Sequence, residues 1–223
     1  MIGLIDSGLG GLTTLSALAK RECDHRFCYL ADTAHSPYGG RDSLALIALA
    51  ERWAKRLCNM GAQAIVLACN TMTLAAKDYL TRTLSVPVYG VEPPEGEDAL
   101  LLGTAYTVKR MGKGKALPEL ASLIDRYYPD LPPIEAYLAS QLEGMQADTV
   151  VLGCTHYALV KDLISGVLHA KTVIDPSQIL AERLPSTDRG RGLAVDLVLT
   201  GVGDAERYVK TLGTLLGKES TNV

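Results

Sequence analysis

The chain has 223 residues, with 22 Lys and Arg against 25 Asp and Glu and a formal charge of −3. That length allows one large domain or two of about 100 residues each, and near neutrality speaks against nucleic acid or an anionic membrane as the main partner. A composition of 48% apolar and 21% charged residues belongs to a folded globular protein, no run of apolar residues is long enough for a membrane span, and the start Met1-Ile-Gly-Leu-Ile-Asp6 lacks the basic segment of a secretory leader, so the expected compartment is the cytoplasm.

An apolar strand is predicted over 2–5. It ends at Asp6, a carboxylate that needs a partner or a task at the end of a buried strand. Asp6-Ser-Gly-Leu-Gly-Gly11 then opens a helix over 11–20. This turn has the look of an anion loop but matches neither the dinucleotide nor the Walker pattern. A tight strand–helix turn accounts for its glycines, which leaves Asp6 and Ser7 as the functional candidates.

A strand over 27–30 leads into Asp32-Thr-Ala-His-Ser-Pro-Tyr-Gly39, where Tyr38 and Gly39 can lean over a ligand and His35 reads as a surface histidine. A helix over 43–60, a strand over 64–68, a helix over 71–84 and a strand over 86–91 follow. The polar, Pro-rich stretch Glu92-Pro-Pro-Glu-Gly-Glu-Asp98 is the predicted joint between domains.

Beyond the joint the pattern gives a strand over 99–102, a basic Gly-interrupted stretch over 106–115, a helix over 116–128 and a turn at Pro129-Asp-Leu-Pro-Pro133. A strand over 149–152, a helix over 156–168, a short helix over 176–184, a strand over 193–199 and a helix over 204–216 complete the chain. Strands so uniformly apolar, alternating with helices, predict an α/β fold of parallel sheets covered on both faces.

The chain also repeats itself. Ala64-Ile-Val-Leu-Ala-Cys69-Asn-Thr71 and Thr149-Val-Val-Leu-Gly-Cys154-Thr-His156 align without a gap, each an apolar strand, a small residue, a cysteine and polar residues opening a helix. Two pseudo-symmetric lobes are expected, with the active site between them: 1–92, completed by 200–223, and 99–199. Each places a thiol at the carboxyl end of a strand, where ligands bind in open α/β sheets. The second lobe is shorter, with no convincing strand between residues 103 and 149.

Five cysteines without CxxC spacing fit neither a disulfide framework nor a common zinc site. Cys23, Cys28 and Cys58 read as small hydrophobes. Cys69 and Cys154 stand apart: a thiol at a helix N-terminus is expected to fall below its usual pKa of about 8.5. Asn70, Thr71 and Thr155 beside them would cradle a carboxylate, and His156 could carry the Cys154 proton. Two thiols across a cleft are open to three uses: a disulfide, a metal site, or proton exchange on opposite faces of one carbon.

These motifs, in this order, resemble the cofactor-independent glutamate racemases of the aspartate/glutamate racemase superfamily: Asp6-Ser-Gly-Leu-Gly-Gly, Asp32-Thr-x-x-x-Pro-Tyr-Gly, Ala68-Cys-Asn-Thr, Gly153-Cys-Thr-His-Tyr157, and the C-terminal stretch from Thr200-Gly201 to Asp204-Ala-Glu-Arg207. The resemblance implies interconversion of D- and L-glutamate for peptidoglycan synthesis, with Cys69 and Cys154 as the acid/base thiols. Asp6 and His156 would assist them. Asp6-Ser7, Tyr38-Gly39, Asn70-Thr71 and Thr155-His156 would contact the substrate. No metal or pyridoxal phosphate is implied, and a homodimer is. Over 104–147 the chain departs from the family, and Glu135 and Glu143 are the candidates for the acidic residue the family carries there. Racemisation of aspartate or another small acid, or ligand binding without turnover, are the competing readings.

Overall fold

A computed structural model describes residues 1–21, 26–94, 96, 98–184 and 193–217, so Cys23 lies outside the described residues. The first sheet is built from β1 (Ile2–Asp6), β2 (Arg26–Ala31), β3 (Ala64–Leu67) and β4 (Val88–Gly90), in the order β4-β3-β1-β2 and parallel throughout. Helices α1 (Gly11–Ala19), α2 (Ser43–Asn59) and α3 (Asn70–Thr83) make the crossovers. Alternation along the strands sends side chains to two cores. Leu4, Phe27, Tyr29 and Val66 enter one, while Ile5, Leu30, Ile65 and Leu67 enter the other. α2 starts where the Asp42 carboxylate accepts the Ala45 N–H at 2.9 Å, and buries Leu46, Ala50, Trp53, Ala54 and Leu57 along one stripe. Each such leucine, fully buried, is worth about 1.5–3 kcal/mol.

The second sheet holds β5 (Leu100–Gly103), β6 (Lys115–Ala116), β7 (Thr149–Gly153) and β8 (Thr172–Ile174), ordered β6-β5-β7-β8. Read from the other edge this is the first sheet's order, with β5 standing for β1 and β7 for β3. Around it lie α4 (Ala105–Met111), α5 (Leu120–Tyr127), α6 (Pro132–Gln141), a 3-10 turn (Thr155–Val160) and α7 (Lys161–Leu168). A core of Leu120, Ile124, Leu138, Leu152, Tyr157 and Ile164 joins α5, α6 and α7 to the strands.

Several expectations change here. The helix over 116–128 begins at Leu120, because Lys115 and Ala116 pair with Leu102 and Gly103 as a two-residue strand. The turn at 129–133 is cut short by Pro132, which opens α6 at a position where its missing N–H costs nothing. The helix over 156–168 is split between the 3-10 turn and α7.

The strand over 193–199, grouped above with the second lobe, is β9 (Ala194–Leu199) and pairs with β2 from Arg26–Ala194 to Ala31–Leu199. α8 (Pro176–Arg183) buries Leu180 and Ala181 in the first lobe's core and so carries the chain back to it. α9 (Ala205–Leu215) adds Tyr208 and Leu212 to the same core. Among the described residues, no helix is long and apolar enough to cross a membrane.

Candidate active site

In each sheet the chain passes from one side of the first strand to the other, and the crevice so formed opens at the strands' carboxyl ends. Ile5 pairs with Leu67, so two steps further Ser7 and Cys69 come level; Gly103 pairs with Gly153, so Thr104 and Cys154 come next. The two crevices meet in one cleft, walled by Ser7, Tyr38, Gly39, Cys69, Asn70 and Thr71 from the first lobe and by Thr104, Asp125, Cys154 and His156 from the second. Asp6 and Thr155 lie directly behind that wall. The Asp6 carboxylate accepts the Gly8 N–H at 2.8 Å and the Thr155 hydroxyl at 3.1 Å, linking the lobes.

Both thiols are buried apart from a narrow face, each 7% exposed. Burial pushes the Cys69 thiol well up, and the Asp6 charge adds to this; N–H groups of Met72 and Thr71 at the start of α3 pull the other way and lose. The expected fall at the helix N-terminus is therefore overturned for Cys69: removal from water outweighs the helix end. Asp6, buried among apolar strands, rises to about 6, despite the opposing pull of His156, the Gly8 N–H and Thr155. Cys69 thus sits beside a carboxyl group that can take or give a proton near neutral pH.

Cys154 has a different neighbour. Its sulfur lies 3.8 Å from His156 Nδ1, and the other ring nitrogen, Nε2, lies 3.0 Å from Asp125 Oδ1. Burial disfavours the His156 charge, but Asp125 and Cys154 together hold the imidazole well above its usual range. Asp125 stays below the usual carboxylate range although burial pushes it up, because His156, the Leu9 N–H and Arg207 favour its charge. Each partner therefore favours the charged form of the other.

The glycine loop of the first lobe makes this approach possible. A Cβ on Gly10 would stand 2.4 Å from His156 Nδ1, and one on Gly8 would stand 2.6 Å from Asp125 Oδ2. Beneath, Tyr29 donates its hydroxyl to the Gly8 carbonyl at 2.7 Å. The glycines thus serve close contact between lobes.

The remaining wall is polar and pre-set. Asn70 donates its amide to the Val91 carbonyl at 3.1 Å, which leaves its Oδ1 buried and without a partner, ready to accept from a ligand. Thr71, Thr104 and Thr107 form a chain of hydroxyls across the lobe boundary, 2.9 and 3.1 Å apart. Tyr38 donates its hydroxyl to Asp32 at 2.7 Å, and Asp32 also binds His35 and Thr200. His35 is therefore tied to a buried acid.

Two hydrogen-bonding wall residues escaped the sequence reading. Thr104 follows β5 as Ser7 follows β1, a correspondence that the matching sheet orders reveal and the sequence repeat over 64–71 and 149–156 does not reach. Asp125 lies one helical turn beyond Ala121, also in the wall, within a segment read only as helix. Glu135 and Glu143 are exposed and contribute nothing to the cleft. Among the described residues, no group of three or more His, Cys, Asp or Glu side chains is placed to hold a metal ion.

Fold and site define a two-lobed α/β enzyme that presents a pair of buried thiols, each beside its own titratable neighbours, to a shared cleft. No protein-family model matches the chain. It is 34% identical to the glutamate racemase of Thermus thermophilus over 97% of its own length and 92% of the relative's, and 32% identical to that of Aquifex aeolicus over 98% and 94%. Among solved structures, glutamate racemase from Thermus thermophilus in complex with β-chloro-D-alanine superposes with a TM-score of 0.80 at 33% identity, covering 97% of this chain and 93% of that one. Glutamate racemase from Aquifex pyrophilus gives 0.74 at 29%, covering 99% and 96%. The chain belongs to the glutamate racemase family, and is an isomerase.

Proposed function

We propose that the protein interconverts L- and D-glutamate without a cofactor, by passing a proton between the substrate's α-carbon and Cys69 on one side and Cys154 on the other. The observation that carries this reading is the paired surroundings of the thiols: Asp6 beside Cys69, and His156 with Asp125 beside Cys154, on one cleft. One thiolate removes the α-proton while the other thiol delivers one to the opposite face, and the exchange of roles runs the reaction backwards. The carbanion between these steps needs donors fixed in advance at its carboxylate. The N–H groups at the start of α3 and the hydroxyls of Thr71 and Thr104 would supply them, while Asn70 Oδ1 would take the ammonium, with Asp6 adding negative charge from behind the wall. Ser7, Tyr38 and Gly39 are left for the side-chain carboxylate. The small D-amino-acid analogue held by the Thermus thermophilus relative agrees with a cleft of this kind.

In the cell this activity would supply D-glutamate for peptidoglycan in the cytoplasm, with the protein acting as a homodimer. The test is incubation with L-glutamate in D₂O without added cofactor, following optical rotation and α-deuterium uptake. Cys69→Ala and Cys154→Ala should each lower racemisation by about a hundredfold to ten-thousandfold. Near-full activity in either variant would sink the two-thiol mechanism.

A further inference from the structure

One cationic side chain reaches from the first lobe to the second without entering the cleft wall. Arg207 stands in the first turn of α9, where the Asp204 carboxylate accepts its backbone N–H at 3.2 Å. α9 is packed on the first lobe through Tyr208 and Leu212. The Arg207 guanidinium lies on the last turn of α5, in the second lobe. Nη1 donates to the Asp125 carbonyl; Nη2 donates to the carbonyls of Ile124 at 3.2 Å and Tyr128 at 2.7 Å. The Asp125 and Tyr128 carbonyls are of the kind a helix end leaves without backbone partners, while that of Ile124 also accepts the Tyr128 N–H at 3.0 Å; a cation there also meets the negative end of the helix dipole.

α5 has only eight residues, too few to hold its own ends in water. Leu120, Ala121 and Ile124 anchor its body in the second lobe's core, but Asp125 belongs to the turn beyond them. There the Asp125 carboxylate must meet two groups at once: the Leu9 N–H at 3.1 Å, from the first lobe, and His156 Nε2 at 3.0 Å, from its own.

We propose that Arg207 is a positioning residue, which seats the last turn of α5 so that Asp125 faces His156, and which does so only when the two lobes are closed on each other. The imidazole beside the second thiol is then completed by lobe closure. This rests on the proposed role of Cys154 and His156 for its effect on turnover, but not for its effect on the imidazole. Arg207 offers a fork of donors to three carbonyls, and lysine could serve them only one at a time.

The test compares the parent protein, Arg207→Ala and Arg207→Lys. NMR titration of the His156 ring in the ligand-free protein reads the contact directly. The titratable groups facing that ring are Asp125 from α5, Asp6 from the end of β1 and Cys154, which follows β7. Arg207→Ala should lower the proton affinity of His156 by about tenfold or more, lower kcat by about tenfold to a hundredfold and change KM by less than about threefold, since a displaced acid/base group costs rate more than binding. The alkaline limb of the pH profile should move down with it, and Arg207→Lys should recover part of each. A lower Tm with the His156 midpoint and pH limb unmoved would mean that Arg207 is a tether only, and would overturn the proposal. If Arg207→Ala does not fold, the same midpoint read in Arg207→Lys and Arg207→Gln decides: a graded fall supports it, no change overturns it. A midpoint that moves in a protein showing no racemisation would uphold this contact and overturn the proposed function instead.

Discussion

The two lobes share a strand order and differ in what supports it. In the first, helices cover both faces of the sheet, β2 runs six residues, and two cores receive alternate side chains. In the second, the β2 counterpart is the two-residue β6, and one core gathers α5, α6 and α7 against the strands. Yet both present a thiol with a partner. The second lobe manages this by leaning on the first: Asp125 takes a hydrogen bond from Leu9, and Arg207 seats the turn that carries it. Paired thiols therefore do not require paired scaffolding.

The largest effect that would sharpen this contrast is core truncation. Leu138→Ala, in the single core of the second lobe, should cost about 2–5 kcal/mol. Hydrogen exchange should then rise in β5, β7 and β8 while β1 and β3 keep their protection. Equal loss in both sheets would show the lobes to be one cooperative unit and dissolve the comparison.

Next comes the buried acid of the first lobe. Asp6 titrates at about 6 in the folded protein, against 3.8 for the free group. The native state therefore holds the extra proton between those values, and stability is lost as pH rises through them. The loss amounts to about 2 kcal/mol between pH 4 and 7. Asp6→Asn should lack that loss, so urea unfolding of both proteins at the two pH values reads the difference directly. A parent and variant that change in parallel would place the Asp6 proton elsewhere.

Gly10→Ala probes the seam. Its methyl group would stand against His156, so the lobes must part, and kcat should fall by about a hundredfold. A fall below about threefold would mean that the lobes yield without cost. The smallest effect is a gain: Gly166 lies inside α7 with nothing near its missing Cβ, and Gly166→Ala should add about 0.5–1 kcal/mol, read as a higher urea midpoint.

Much of this was legible in the sequence, for local reasons. Cys69 and Cys154 announce themselves because the same strand, small residue, thiol and polar cap occur twice. Asp6 does so because a carboxylate ends an otherwise apolar strand. The clamp of Asp125 on His156 was not legible, since the face a short helix turns inward is set by packing across the chain. The placement of β9 was hidden for a related reason: a parallel strand pairs with a neighbour reached by a crossover, and no local pattern says which. The direction of the Cys69 shift was misjudged because the helix end is visible in sequence, whereas the depth of burial opposing it is not.

The position of β9 bears on how the polypeptide is made. Residues 99–174 form a contiguous sheet with its own helices, whereas the first sheet is finished only by 194–199. During synthesis the second lobe can close as soon as it leaves the ribosome. The first, although begun earlier, must wait with one side of β2 unpaired and the face for α8 and α9 uncovered. A nascent chain arrested near residue 184 would thus pair a finished second lobe with an open first one, whose bare strand edge invites association with other chains. A segment translated after the second lobe thus closes the lobe that was started first.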